Sequence, residues 1–189
     1  MDTLNLIGSQ PIETEHFILR PIKETDAEAM YANWASSPAV AEYVTWNAHE
    51  NVEVSRHLCR TWEERAKNID FFHWTLVLKS IGEPIGTIGA VSIDIDKKSA
   101  EIGYCMGNKW WNKGYMTECL GAVTEYLFDK IGFEEITAYH DIDNPASGKV
   151  MKKCGMKFIC SKEKTVKGLE RTVLYYSLKK TEWDEIRPK

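Results

Sequence analysis

The chain has 189 residues, of which 43% are hydrophobic and 28% are charged, and its formal net charge at pH 7 is −4. These values predict one globular domain over residues 1–189 with a substantial core. The acidic balance argues against nucleic acid as the main ligand and mildly favours a cationic partner.

The cysteines and the distribution of apolar residues indicate the cellular compartment of the protein. The five cysteines are scattered and include no C-x-x-C pair, which is typical of reduced thiols. The first residues lack a basic stretch followed by an apolar one, and no run of about 18 apolar residues occurs anywhere. The sequence therefore predicts a cytoplasmic protein with no membrane partner.

The first half of the chain begins with a β-rich stretch over residues 16–22, which predicts a strand. Residues 23–35 have a helical pattern, with Thr25 or Asp26 as the predicted cap. Residues 49–68 are a longer, more polar helix candidate.

The middle and the end of the chain alternate between the two periodicities. The predicted elements are a hairpin of residues 71–79 and 84–94, a strand 99–107, a helix 114–130 that ends before Gly132, a strand 133–141, a helix 145–154 that ends at Gly155, and a hairpin of residues 156–166 and 171–179 around Lys167 and Gly168. The strands that contain Glu101 and Ile136 flank a helix, so we expect them to be parallel through a right-handed crossover.

Residues 107–120, GNKWWNKGYMTECL, place a glycine-centred turn directly before a helix. The first N–H groups of a helix have no intrahelical partner and can hold an anion. Taken alone, this loop favours a simple turn glycine at Gly114, and Trp110 and Trp111 are interpreted as packing residues.

Two segments, EIGYCM…WWNKGYMTE and DNPASGKVMKKCGMKF, resemble the GCN5-related N-acetyltransferases (GNAT superfamily). Within that superfamily the chain is most similar to the RimJ/RimL-type ribosomal-protein N-terminal acetyltransferases, and the resemblance extends over nearly its whole length. It implies an α/β (α+β) single-domain GNAT fold. That fold has a mixed, mostly antiparallel central sheet with a splayed parallel strand pair, flanked by helices.

The resemblance also implies acetyl-CoA as co-substrate and a primary amine as acceptor. The family's pyrophosphate loop, (Gln/Arg)-x-x-Gly-x-(Gly/Ala), matches fully here only at Gly114. The predicted CoA-binding residues are Tyr104, Cys105 and Met106 for the pantetheine arm, and Trp111, Asn112, Lys113, Gly114, Tyr115, Met116, Thr117, Asn144 and Ser147 for the rest of the cofactor. Asn144 also has the alternative role of a helix N-cap.

Two side chains are the predicted catalytic groups. Some histone-type relatives carry their general base in a similar AEI context, so the resemblance implies Glu101 as the base that takes the amine proton, directly or through water. Its alternative role is a strand carboxylate paired with a lysine. Many relatives protonate the leaving thiolate with a tyrosine four residues after the position of Ser147, where this chain has Met151. RimL-type enzymes are similar in having a serine at this position, so the resemblance implies Ser147 as the donor, directly or through water, with a first-turn cap as its alternative.

His140, Asp141 and Asp143 lie within four residues and raise the question of a metal site. No second histidine cluster supports one, so we interpret them as a strand end followed by an Asx-rich turn, and no metal is predicted.

The acceptor is less determined than the donor. The leading hypothesis is a protein N-terminal amine, and the alternatives are a small amine, such as a polyamine or an aminoglycoside, and a non-catalytic CoA-binding module. Acceptor selection is expected from residues 35–68 and from the final hairpin. The sequence does not predict the oligomeric state.

Overall fold

Eight strands form one sheet in the computed structural model, which describes residues 3–187. The strands are β1 (Ile12–Glu13), β2 (Phe17–Arg20), β3 (His73–Leu78), β4 (Glu83–Asp94), β5 (Ser99–Met106), β6 (Glu135–Asp141), β7 (Lys157–Val166) and β8 (Leu169–Lys179). Their order across the sheet is β1-β2-β3-β4-β5-β6-β8-β7. All neighbours are antiparallel except β5 and β6, which are parallel, so the predicted mixed sheet is confirmed.

The helices lie between the strands and after the last one. They are α1, a continuous segment of a 3₁₀ turn (Glu24–Asp26), an α-helical turn (Ala27–Met30) and a π-helical turn (Tyr31–Ala35), followed by α2 (Pro38–Ala41), α3 (Val52–Arg65), α4 (Tyr115–Glu125), α5 (Pro145–Lys153) and α6 (Lys180–Ile186). A π-helical turn, Tyr126–Ile131, extends α4 up to Gly132, whose φ of 92° ends the helix as predicted. None of the helices within residues 3–187 has the length and apolar character needed to cross a bilayer.

The parallel strand pair separates soon after it begins. β5 and β6 are paired only from Ser99 to Glu101 on one strand and from Glu135 to Thr137 on the other. From Ile102 onward β5 pairs with β4 alone, so its other edge has no strand beside it. The predicted splayed pair is therefore present.

Apolar side chains cover both faces of the sheet. The larger core packs Trp74, Ile102 and Tyr176 against α4, α5 and α6, and the smaller one packs Trp34 and Cys59 of α1 and α3 on the opposite face. Because strand residues alternate between faces, the even-numbered residues of β5 join the larger core, whereas Cys105 packs against the smaller one.

Asp26, one of the two predicted caps, stands at the N-cap position of the α-helical turn Ala27–Met30, but its side chain makes no capping hydrogen bond there. The helix begins at Glu24, and Asp26 lies inside its first turn. The carboxylate of Asp26 accepts a hydrogen bond from the Lys23 N–H at 2.8 Å and pairs with both terminal nitrogens of Arg20 at 2.7 Å. An acidic residue at the third helical position can reach back to the preceding N–H, which places the start earlier than the pattern suggested.

Other boundaries shift by a few residues. α3 begins at Val52, three residues later than predicted, because Asn51 accepts hydrogen bonds from the N–H groups of Glu53 and Val54. β1, α2 and α6 were not predicted. The final hairpin turns at Lys167 and Gly168 as expected, with φ values of 52° and 78°.

Candidate active site

A cavity of about 330 Å³ opens between the unpaired edge of β5, the start of α4, the first turn of α5 and the segment that contains α2. The residues predicted to bind the cofactor all line this cavity: Tyr104, Cys105, Met106, Trp111, Asn112, Lys113, Gly114, Tyr115, Met116, Thr117, Asn144 and Ser147. The volume is within the range of small-molecule sites. The structure therefore brings together residues that are up to 43 positions apart in the chain.

The edge of β5 contributes backbone hydrogen-bonding groups. Gly107 donates its N–H to Ile85 of β4 at 2.9 Å, and alternation along the strand then directs the N–H and C=O groups of Tyr104 and Met106 away from β4. The Met106 carbonyl accepts a hydrogen bond from Trp111 Nε1 at 2.7 Å, in agreement with this direction. The backbone of Tyr104 thus faces the gap that β6 leaves.

The start of α4 contributes N–H groups. Gly114 precedes the helix with a φ of 83°, in the left-handed region that favours glycine, and Asn112 has a φ of 62°. The Glu118 N–H donates to the Gly114 carbonyl at 3.1 Å as the first bond of the helix. The N–H groups of the first turn, from Tyr115 to Thr117, therefore have no intrahelical acceptor.

The two tryptophans before this turn both line the cavity, but different contacts hold them. Trp110 packs against the larger core, as expected for a packing residue. Trp111 has 43% of its surface exposed, lines the cavity and is held by its bond to Met106. Trp111 was also predicted to bind the cofactor, and its place in the cavity wall is compatible with that role.

Met116, where the family pattern has a small residue, is accommodated by the core. It is 9% exposed and belongs to the larger core cluster, so only part of it contributes to the cavity wall. The backbone N–H groups beside it do not depend on the identity of the side chain.

The first turn of α5 presents Asn144 and Ser147. Asn144 Oδ1 accepts the Ser147 N–H at 3.3 Å and caps the helix, while the residue also lines the cavity. An asparagine amide has an acceptor and two donors, so capping leaves its N–H groups for a ligand. Ser147 is not the cap, because the capping side chain is that of Asn144.

The Ser147 hydroxyl instead meets a tyrosine from β5. Tyr104 Oη lies 2.9 Å from Ser147 Oγ and 3.0 Å from the Ser147 carbonyl oxygen. Burial raises the pKa of the Tyr104 phenol, and the weaker opposing effect comes from its hydrogen bond to Ser147. The phenol therefore keeps its proton at neutral pH and acts as a neutral hydrogen-bonding group.

Glu101 lies at the last paired position of β5, opposite Thr137 of β6, and does not line the cavity. By strand alternation its side chain is on the same face as that of Cys105, which does line it, roughly 13 Å further along the strand. No ion pair or side-chain hydrogen bond of its carboxylate is found within residues 3–187, so the predicted alternative of a lysine partner has no support there.

Several lining residues were missed. Lys149 and Lys153 of α5 add two cations to Lys113 around the cavity. Their i, i+4 spacing places them on one helix face, a signal that was available in the sequence but did not say which way the face points. Ala39, Val40, Tyr43 and Val44, from the stretch expected to select the acceptor, form the opposite wall.

The three residues that raised the question of a metal are held by contacts within the protein. His140 packs beneath Gly148 of α5, where a methyl group would overlap its ring, and its Nδ1 bonds the Asp141 carbonyl oxygen at 2.8 Å. Asp141 accepts the Asp143 N–H at 2.9 Å and lies 3.6 Å from Arg171. This is the Asx-type turn that the sequence suggested.

This fold and cavity define a class of protein. The family model for the acetyltransferase (GNAT) domain matches residues 16–157. The chain therefore belongs to the GNAT acetyltransferase family and is an acetyl-CoA-dependent N-acetyltransferase.

Particular relatives agree in length as well as in fold. The uncharacterized N-acetyltransferase YoaA of Bacillus subtilis (strain 168) is 30% identical over 146 residues, which is 77% of this chain and 82% of YoaA. The ribosomal-protein-S5-alanine acetyltransferase of Vibrio fischeri superimposes with a TM-score of 0.80 at 20% identity, over 95% of this chain and 100% of the other. The microcin C7 self-immunity acetyltransferase MccE, solved with acetyl-CoA and AMP, gives a TM-score of 0.80 at 19% identity, over 88% of this chain and 93% of the other.

Proposed function

We propose that this protein transfers the acetyl group of acetyl-CoA to the N-terminal α-amine of a protein, by direct attack of the amine on the thioester. The observation that carries the proposal is the cavity between β5, α4 and α5, which collects every residue expected to hold CoA. The likeness in fold to a ribosomal-protein acetyltransferase supports this class of acceptor.

In this proposal the start of α4 holds the pyrophosphate. Its unpaired N–H groups and the positive end of the helix dipole suit an anion. Lys113, Lys149 and Lys153 line the same cavity and add positive charge to it. The arrangement suits a polyanionic ligand although the whole chain is acidic.

The pantetheine arm occupies the gap beside β5. An extended arm with amide groups can bond the exposed backbone of Tyr104 much as a neighbouring strand would. The thioester then lies between β5 and the first turn of α5, within reach of Ser147. A hydrogen bond from Ser147 to the sulfur stabilises the leaving thiolate.

The amine must lose a proton to attack. An α-amine with a pKa near 8 costs about 1.4 kcal/mol to deprotonate at pH 7, whereas a lysine amine costs roughly 4–5 kcal/mol. A single half-buried carboxylate such as Glu101, acting through water, suits the smaller deprotonation free energy of an α-amine. This difference favours an α-amine acceptor over a lysine or a polyamine.

The first experiment is a thermal-shift titration with acetyl-CoA, with ATP and NAD as controls. At 100 times its dissociation constant, a ligand that binds only the folded state stabilises it by about 2.7 kcal/mol. We expect a clear rise in melting temperature with acetyl-CoA and little with the controls. The absence of a shift at millimolar acetyl-CoA would overturn the proposal.

The acceptor is then tested with matched peptides by measuring the release of free CoA thiol. Two peptides of one lysine-containing sequence are compared. The first has a free N-terminus, and the second is formylated there, so that its lysine is its only free amine. Turnover of the first alone supports an α-amine acceptor, while turnover only of polyamines or aminoglycosides supports a small-amine enzyme.

Glu101→Gln distinguishes an enzyme from a binding module. The variant should keep the acetyl-CoA shift and lose most of its turnover, because glutamine cannot accept the amine proton. A wild-type protein that binds acetyl-CoA but acetylates none of these amines would instead indicate the non-catalytic module.

A further inference from the structure

The hydrogen-bonded pair of Tyr104 and Ser147 bridges two elements that no strand pairing connects. Tyr104 belongs to β5 at the point where β6 has moved away, and Ser147 belongs to the first turn of α5. Their hydroxyl oxygens are 2.9 Å apart, and both residues line the cavity. Two hydroxyl groups thus meet beside the gap assigned above to the pantetheine arm.

α5 itself supplies no second proton donor one turn after Ser147. Met151, one helical turn after Ser147, is 1% exposed, packs in the larger core and does not line the cavity. Its thioether has no proton to donate. The strand, by contrast, places a phenol directly against the serine.

A serine in the first turns of a helix has competing uses for its single proton. Its hydroxyl rotates freely and can donate to a carbonyl of the preceding turn. A donor that occupies the oxygen of the serine fixes the group and leaves the serine proton for another acceptor. Tyr104 is placed to be that donor.

The Ser147 carbonyl is the other acceptor within reach of Tyr104, at 3.0 Å. In α5 that carbonyl is already positioned to accept the N–H of Met151, four residues on. Ser147 Oγ has no recorded partner other than Tyr104 within residues 3–187. The hydroxyl oxygen is therefore the more available acceptor for the phenol.

We propose that Tyr104 is a positioning residue, which donates its hydrogen bond to Ser147 Oγ and so directs the Ser147 proton at the sulfur of CoA. The inference rests on the proposed function. In the reaction the amine nitrogen bonds the thioester carbon, the C–S bond breaks, and sulfur leaves with its electron pair. The oriented Ser147 hydroxyl stabilises that charge, and the sulfur finally takes up one proton to balance the one that the amine loses.

The raised pKa of the phenol fits this role. A tyrosine that ionised would become an acceptor and would draw the serine proton toward itself. Because its surroundings keep Tyr104 protonated, it remains a donor to Ser147 over the range in which the thiolate forms.

The test measures the pKa of the thiol of CoA bound to the protein, so it needs no identified acceptor. Thiolate is followed by ultraviolet absorbance across pH, and the same protein loaded with desulfo-CoA supplies the baseline. The proteins are the wild type, Tyr104→Phe, Ser147→Ala and the double variant. Tyr139→Phe is a matched control, because Tyr139 lies outside the cavity.

A donor directed at sulfur lowers the thiol pKa, so its loss should raise it. We expect Tyr104→Phe and Ser147→Ala each to raise the pKa of the bound thiol by about one unit, a tenfold change in the thiolate ratio. The double variant should add little to Ser147→Ala, because the two residues act as one unit. Tyr139→Phe should leave the value unchanged.

The opposite arrangement gives the opposite sign. If Ser147 donates to Tyr104, then Tyr104→Phe frees the serine proton and the thiol pKa falls or stays the same, which overturns the proposal. Additive effects in the double variant would do so as well.

CoA binding by the wild-type protein separates failure of the proposed function from failure of the inference about Tyr104. A wild-type protein that does not bind CoA removes the proposed function, and this inference with it. If Tyr104→Phe folds poorly, Ser147→Ala decides: an unchanged thiol pKa in that variant also overturns the proposal.

Discussion

Gly114 and Gly121 lie at the start and in the middle of α4, and a methyl group would affect them in opposite ways. Apart from its immediate neighbours in the chain and in the helix, no described residue lies within 4 Å of a Cβ added at either position, but Gly114 has a φ of 83°. Gly114→Ala should therefore lower the free energy of unfolding by about 1–2 kcal/mol through backbone strain alone. Relief of that strain would rotate the first N–H groups of the helix, so acetyl-CoA should also bind more weakly.

Gly121→Ala is the matched control, since alanine is the better helix former by up to about 1 kcal/mol. We expect it to raise the free energy of unfolding in urea and to leave the acetyl-CoA affinity unchanged. Equal acetyl-CoA affinities for the two variants would contradict the assignment of the pyrophosphate to the start of α4.

α5 contributes both predicted and unpredicted residues to the site. Its first turn holds Asn144 and Ser147, and Lys149 and Lys153 continue along the cavity wall. Lys152 belongs to the same helix, does not line the cavity, and lies over the ring of Tyr176 at 5.9 Å. The helix thus offers cations on two sides, of which only one faces the proposed ligand.

The double variant Lys149→Met, Lys153→Met should weaken acetyl-CoA binding by about tenfold at low salt, and by less as salt screens the charges. Titration calorimetry at two ionic strengths measures both effects. Lys152→Met removes one cation from the other side and should change neither value much. A loss of affinity that does not depend on salt would show that packing, rather than charge, was removed.

At the scale of elements, most of the structure could be predicted. Alternation and helical spacing gave the hairpins and α4, because each reports which residues share a face. Starts of helices were less predictable, because Asp26 and Asn51 act through hydrogen bonds that depend on the local turn of the chain. The two cavity-lining lysines of α5 show a further limit of prediction from sequence. Their spacing predicts that they share a helix face, but tertiary packing decides what that face contacts.

His73 links acid stability to the whole fold. It lies at the start of β3, with its ring 4.1 Å from that of Trp62 and 5.8 Å from that of Phe71, and its Nδ1 is buried without a partner within residues 3–187. Burial, with a smaller effect from Arg65, lowers the pKa of His73 from 6.5 to about 4.

Below pH 6.5 the unfolded chain binds a proton at this histidine that the folded protein does not bind. The stability contributed by His73 is therefore complete above pH 6.5 and is lost as the pH falls toward 4, by up to about 3 kcal/mol. His73→Phe should flatten the decline in melting temperature over that range. His57→Gln removes an exposed histidine of α3 and should leave the decline as it is, whereas identical profiles for all three proteins would contradict this account.

At the scale of the molecule, the sequence left out what depends on long-range packing. The family motifs predicted a set of residues that line one cavity, yet the contact between Tyr104 and Ser147 joins a strand and a helix through the gap at β5, and no local pattern encodes it. The position of β8 between β6 and β7 is similar, because sequential strands would more often be expected as neighbours. Such features follow from how elements meet rather than from their own periodicity.

The early separation of β5 from β6 divides the sheet into two blocks, one of strands β1 to β5 and the other of β6, β8 and β7. Within the sheet these blocks share only the short seam from Ser99 to Glu101. A cofactor arm lying in the gap would lengthen that seam, with its amides taking the place of the missing ladder. Donor binding would then do more than supply an acetyl group: it would stiffen the junction between the blocks, and the acceptor would meet a more rigid protein than the donor did.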